Sequence, residues 1–203
     1  MHGFGGRTIF VSLSLIVAFQ TSSSATHSWN GYHWARTASR FTLDLGDNLS
    51  SAWKNTLHIV SSEWNQSPVL DTVIVGGGRR NCRPTAGRIE VCNAAYGATG
   101  WLGVAQVWAI GSHIAQATVK VNDTYFTTST YNRPEWRQMV LCQEIGHTFG
   151  LDHQDENFTN RNLGTCMDYT RRPLGPPDNT SPNGHDYDQL ELIYRHRDSS
   201  TTV

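Results

Sequence analysis

The spacing of apolar side chains changes period along this chain, and the changes mark its elements. From Leu49 to Trp64 the large residues Trp53, Leu57, Val60 and Trp64 stand four, three and four apart, which predicts an amphipathic helix. Residues 72–78, TVIVGGG, are a β-branched run halted by three glycines and predict a buried strand. The segment from Cys82 to Cys92, with PTAG at its tip, predicts a hairpin, and GWLGVAQVWAIG at 100–111 predicts a further strand. Between His113 and Val121, Ala115, Ala117, Val119 and Val121 alternate with Gln116, Thr118 and Lys120, the period of two of a half-buried strand. Pro134 suits the first turn of a helix, Glu135 complements its N-terminal dipole, and the helix is expected to run to Phe149 before Gly150 ends it. Residues 155–184 are rich in Asn, Pro, Gly and Thr and are expected to be irregular. A last helix over about Tyr187–Arg197 would turn Leu190, Ile193 and Tyr194 inward.

The N-terminus has a different pattern. Arg7 precedes an apolar run from Ile9 to Phe19, and the small polar stretch TSSSA ends at Ala25. This is the layout of a secretory signal peptide over residues 1–25, and eleven residues are too few for a membrane span of about 20. The mature protein, residues 26–203, is expected to be secreted, extracellular and monomeric. The four cysteines, Cys82, Cys92, Cys142 and Cys166, all lie in that part, and an even number in an oxidising compartment suggests two disulfides. Three pairings are possible. The favoured nearest-neighbour one joins Cys82 to Cys92 and Cys142 to Cys166, and the second loop would contribute roughly 3 kcal/mol through loop closure. Asn-x-Ser/Thr sequons begin at Asn48, Asn65, Asn122, Asn157 and Asn179; Pro follows those at Asn65 and Asn179 and makes them poor acceptors.

A formal net charge of −1 and the lack of any long basic run argue against nucleic acid or an anionic membrane as partner. Seven Trp, seven Tyr and seven Phe give a chain of 203 residues the apolar bulk for one compact domain.

The chemistry concentrates in QEIGHTFGLDH, residues 143–153. Positions 143 and 147 lie one helical turn apart and face one way, so Gln143 and His147 could grip one ion, with Glu144 beside it. Gly150 permits a left-handed turn that brings His153 back toward the same point. A zinc ion with three protein ligands keeps a fourth position for a water of pKa about 7, and a neighbouring carboxylate can take its proton.

Glu144, His147, Gly150 and His153 match the pattern H-E-x-x-H-x-x-G-x-x-H at every defined position but the first, and CMDY at 166–169 follows about a dozen residues later. The chain thereby resembles the metzincin clan of zinc endopeptidases, with CMDY in the place of its methionine turn. The resemblance implies an α/β (α+β) zincin-like single domain: a twisted mixed sheet with packed helices, an active-site helix and a Met-turn. It also implies roles. Glu144 is the general base and later proton donor, His147 and His153 are zinc ligands, Met167 is the floor beneath the metal, and Tyr169 steadies the oxyanion as in astacin-like members. The strand around Trp101–Trp108 is the edge along which an extended peptide or protein substrate would lie. A Cys142–Cys166 bond would brace the metal site. Two departures stand out. Residues 26–60 leave no room for the inhibitory pro-segment many metzincins carry. Gln143 replaces the first ligand histidine, and its neutral amide oxygen is a weaker donor than imidazole. Tyr169 as an extra ligand, or His185, could offset the difference.

The activity implied is hydrolysis of internal peptide bonds; the alternative is a pseudoprotease that keeps the fold and binds peptides or a secreted protein. A disulfide-braced structural or lectin-like domain without metal would make the signature accidental. His58, His113 and His196, lacking such spacing, are assigned to the core or the surface. Asp152, Asp155 and Glu156 could bind calcium but fit a solvated charged face better.

Overall fold

The computed structural model describes residues 27–78 and 80–203; the signal-peptide assignment lies outside them. One six-stranded sheet is built from β1 (His33–Trp34), β2 (Phe41–Asn48), β3 (Leu70–Gly76), β4 (Arg88–Ala94), β5 (Gly103–Ile110) and β6 (His113–Asn122). Its order is β1-β6-β4-β2-β3, all these pairs being parallel, and β5 runs antiparallel along β6. Among the described residues β5 pairs with β6 alone, so its other side is a free edge. The helices are α1 (Ser51–Trp64), the single turn α2 (Asp123–Phe126), α3 (Pro134–Thr148) and α4 (Gly184–Ile193). The mixed α/β architecture expected above is present, with α1 and α3 packed on each other and on the sheet.

α1 buries Trp53, Leu57, Val60 and Trp64, the four residues whose spacing predicts it. Both tryptophans of α1 donate their ring N–H to a partner outside the helix: Trp53 to Asp123 Oδ1 at 2.9 Å and Trp64 to the Cys142 carbonyl at 3.2 Å. The second bond places α1 under the middle of α3. Gly146 makes that approach possible, since a Cβ there would stand 2.7 Å from Met167 Sδ and 2.8 Å from the Trp64 ring. α4 starts earlier than expected because Asn183 and Asp186 form a reciprocal capping box, and it ends at Ile193. Leu190, Ile193 and Tyr194 are buried as predicted.

Several expectations are corrected. β3 exists, but as an edge strand; Val73 is 48% exposed. Residues 82–92 are not a hairpin: β3 and β4 flank β2 in parallel, so the segment between them crosses over. Cys82 and Cys92 are nevertheless joined, as are Cys142 and Cys166. In β6, Ala117, Val119 and Val121 are buried, but an irregularity opposite Trp108 and Ala109 turns Ile114 inward and leaves Ala115 partly exposed. β2 has no counterpart in the sequence-based assignment. Of the sequon residues, Asn122 and Asn179 are fully buried and closed to glycosylation in the folded chain, whereas Asn157 is exposed. No helix among the described residues is long and apolar enough to cross a membrane.

Candidate metal centre

α3 carries Gln143, Glu144 and His147 to the centre of the molecule, and Phe149 and Gly150 then turn the chain. Gly150 sits at φ +94, and a Cβ there would overlap the Tyr32 carbonyl oxygen. The reversal is held by hydrogen bonds from Trp29 N–H to the Gly150 carbonyl (2.7 Å) and from Asp152 N–H to the His27 carbonyl (2.7 Å). It delivers His153 to His147, with Nε2 atoms 3.0 Å apart and ring planes nearly perpendicular.

The protonation of these rings follows from their other nitrogens. His147 Nδ1 lies 2.8 Å from the Leu151 carbonyl, and His153 Nδ1 lies 3.1 Å from Glu156 Oε1. Both partners only accept, so in the neutral rings each Nδ1 carries the hydrogen and each Nε2 presents a lone pair. Two lone pairs face one another at 3.0 Å, an arrangement relieved by a cation between them. Two nitrogens on one tetrahedral zinc at about 2.0–2.1 Å would stand about 3.3 Å apart, so a small adjustment admits the ion. Anchoring of the outer nitrogen by a carbonyl or carboxylate is the usual support of a ligand histidine. Burial, and then the neighbouring His153, hold the His147 pKa at about 4, keeping it neutral for coordination.

Gln143 is buried, and its amide nitrogen donates to the Cys166 carbonyl at 2.8 Å. Only the amide oxygen is left as a ligand atom. Gln143 therefore also ties α3 to the methionine turn, beside the Cys142–Cys166 disulfide that ties the same two segments. Further bonds, Gln154 N–H to the Met167 carbonyl (2.7 Å) and Tyr169 N–H to the Asp155 carbonyl (2.9 Å), fasten that turn to the segment carrying His153. Met167 is fully buried against Gly146.

Glu144 is buried beside Gly103, and burial raises its pKa to about 8, with a hydrogen bond to the Ala105 backbone opposing the shift. It lines a cavity of about 210 Å³ together with Trp101, Gly103, Trp136, Phe158 and Tyr169. The Tyr169 ring packs on His153 with centroids 4.3 Å apart and stacks with Phe158 at 4.7 Å. Its phenol pKa is raised by burial and then by Glu156, Glu144 and Asp152. β5 begins at this cavity, so its free edge leads away from Glu144.

Gln143, Glu144 and Tyr169 thus line one cavity, Tyr169 also packs on His153 of the histidine pair, and Met167 lies against Gly146 of α3. His185 stacks on His27 at 4.9 Å. The acidic loop is occupied by local bonds: Asp152 Oδ1 accepts from His153 N–H, Asp155 accepts from Asn157 N–H and the Asn160 amide, and Glu156 holds His153. Trp29, which packs edge-on against His147 at 5.9 Å, has no place in the sequence-based site; the aromatic entry HSWNGYHWAR that contains it is the available signal.

No protein-family profile and no curated protein matches the chain. Among solved structures, two of myroilysin are similar to it, at TM-score 0.46 and 11% identity over 80% of this chain and 83% of that one, and at 0.44 and 10% over 88% and 89%. High choriolytic enzyme 1, a hatching enzyme zinc-protease from Oryzias latipes (medaka fish), is similar at TM-score 0.44 and 11% identity over 89% of this chain and 100% of that one.

Proposed function

We propose that the protein is a secreted zinc-dependent endopeptidase acting on extended peptide or protein substrates. The observation that carries this reading is the convergence of His147 and His153, Nε2 atoms 3.0 Å apart, with Glu144 three residues before His147 on α3, buried and lining a cavity. Zinc bound there would supply a water of pKa about 7 and a positive charge that favours the ionised form of Glu144. Glu144 takes a proton from water as that water adds to the scissile carbonyl carbon, and returns it to the amine nitrogen as the C–N bond breaks. Tyr169 directs its O–H to the developing oxyanion. The free edge of β5 hydrogen-bonds the substrate backbone as an added strand, and the 210 Å³ cavity receives a side chain. Secretion rests on the N-terminal leader pattern and the two disulfides.

One observation favours a second reading. Gln143 spends its amide nitrogen on Cys166, so position 143 serves as a strut, and a site with two imidazoles could bind peptides without cleaving them. The two readings separate when residues 26–203, made in an oxidising compartment, are loaded with zinc and offered casein. Cleavage that chelator and Glu144→Ala both abolish supports the protease. Peptide binding by folded, zinc-loaded protein without cleavage supports the binding module.

A further inference from the structure

A second group of imidazoles meets where the two ends of the described chain come together. His33 on β1 stands in register with His113 at the start of β6, and the tail after α4 adds His196 and Asp198. Asp198 is fixed through its backbone and one oxygen: its N–H donates to the Arg36 carbonyl at 2.8 Å, and Oδ2 accepts from Arg36 N–H at 3.0 Å. Its other oxygen, Oδ1, faces three Nε2 atoms, those of His113 at 3.2 Å, His196 at 3.5 Å and His33 at 3.7 Å. His33 Nδ1 lies 2.9 Å from the Gly31 carbonyl, which only accepts, so in the neutral ring Nδ1 carries the hydrogen and Nε2, 3.2 Å from His196 Nε2, is the ligand atom. The rings of His113 and His196 both stand edge-on to His33.

We infer that His33, His113, His196 and Asp198 form a second metal site, for a zinc-class divalent transition ion, that fastens the C-terminal tail to the sheet. The ligand atoms of His33, His196 and Asp198 lie within 4.8 Å of one another and His113 reaches the same Asp198 oxygen; imidazole nitrogens and carboxylate oxygens are both donors for such an ion, and four of them would complete a tetrahedral sphere. Two of the groups are pre-set: His33 by the Gly31 carbonyl and Asp198 by the Arg36 backbone, the outer support expected of metal ligands. The side chains of His113 and His196 are 38% and 49% exposed and give the ion its entry from solvent. This proposal departs from the sequence-based assignment of these two histidines to the core or the surface. An ion here would join β1, β6 and the tail, whose Thr202 N–H already donates to the Ala35 carbonyl at 3.0 Å while Ala35 N–H donates to Thr202 Oγ1 at 2.9 Å.

The test is a metal count by mass spectrometry on stripped and zinc-reloaded protein, wild type against His196→Ala, with His113→Ala as a second variant and exposed His58→Ala as control. Wild type should hold one zinc more than either cluster variant and the same number as the control. Zinc at about 100 times its Kd should raise the wild-type Tm about 5–10 °C above the rise seen in His196→Ala, and slow trimming of residues 199–203 by carboxypeptidase. Equal zinc counts in wild type and both cluster variants, or an equal loss in His58→Ala, would overturn the assignment. Because the count is a difference between variants, it holds whether or not His147 and His153 carry an ion.

Discussion

Exchanging Gln143 for histidine alters two interactions in opposite directions, and their sizes can be separated. The side chain sits one turn before His147 on the same helix face, so an imidazole there would meet the ion held by His147 and His153. Changes to groups that merely orient ligands alter metal affinity 10- to 100-fold as a rule, so conversion of a weak amide donor to an imidazole should tighten zinc binding by about 100-fold or more, equivalent to about 2.7 kcal/mol. The same exchange removes the 2.8 Å hydrogen bond to the buried Cys166 carbonyl. An acceptor left unpaired costs about 1–3 kcal/mol, which for a domain of this size lowers Tm by about 3–8 °C. Gln143→His should therefore melt earlier than wild type without metal and recover or surpass it in zinc. Gln143→Leu should melt earlier under both conditions. Competition against a chromophoric chelator gives the affinities, and calorimetry with and without zinc gives the melting temperatures. A change in zinc affinity below about 3-fold in Gln143→His would refute the placement of residue 143 at the ion.

The remaining predictions probe the frame around the site. Burial, opposed by the Gln138 amide, raises the Glu63 carboxyl from 4.5 to about 7, so between those values the folded protein keeps a proton that the unfolded chain has released, and stability falls as pH rises through that window. Full shielding would make the effect about 3 kcal/mol; with partial solvent access, Glu63→Gln should stabilise by about 1–2 kcal/mol at pH 8 and by almost nothing at pH 4, as urea melts at the two pH values will show. Gly150→Ala places a methyl group against the Tyr32 carbonyl at a positive φ and should cost more than about 3 kcal/mol together with most zinc binding; an unchanged melting curve would mean the turn after α3 is not held as described.

What the sequence disclosed depended on how locally each feature is encoded. Gln143, Glu144 and His147 share one helix, and His153 lies a single glycine turn beyond it, so ordinary helical geometry was enough to foresee the approach of His153 to His147. α1 was legible because Trp53, Leu57, Val60 and Trp64 define its buried face by spacing alone. β2 was not assigned, although Phe41, Leu43 and Leu45 do alternate; Asp44, Gly46 and Asp47 in the same stretch dilute the pattern. The run TVIVGGG shows that residues 72–75 favour a strand, but β-branched residues serve a central or an edge strand equally, and the edge position follows only from β2 lying between β3 and β4. Cysteine spacing suggested the Cys82–Cys92 bond but carries no strand direction, hence the hairpin that is a crossover. The cluster of His33, His113, His196 and Asp198 had no sequence signal, since its members are brought together only by the parallel pairing of β1 with β6 and the return of the tail.

The most direct test of the central claim is zinc-edge X-ray absorption of the His196→Ala protein carrying one equivalent of zinc, compared with the same protein bearing His153→Ala. The account predicts two imidazole shells at about 2.0–2.1 Å with oxygen completing the sphere, reduced to one imidazole on loss of His153. Failure to retain zinc at all, or an identical spectrum from the two proteins, would contradict it.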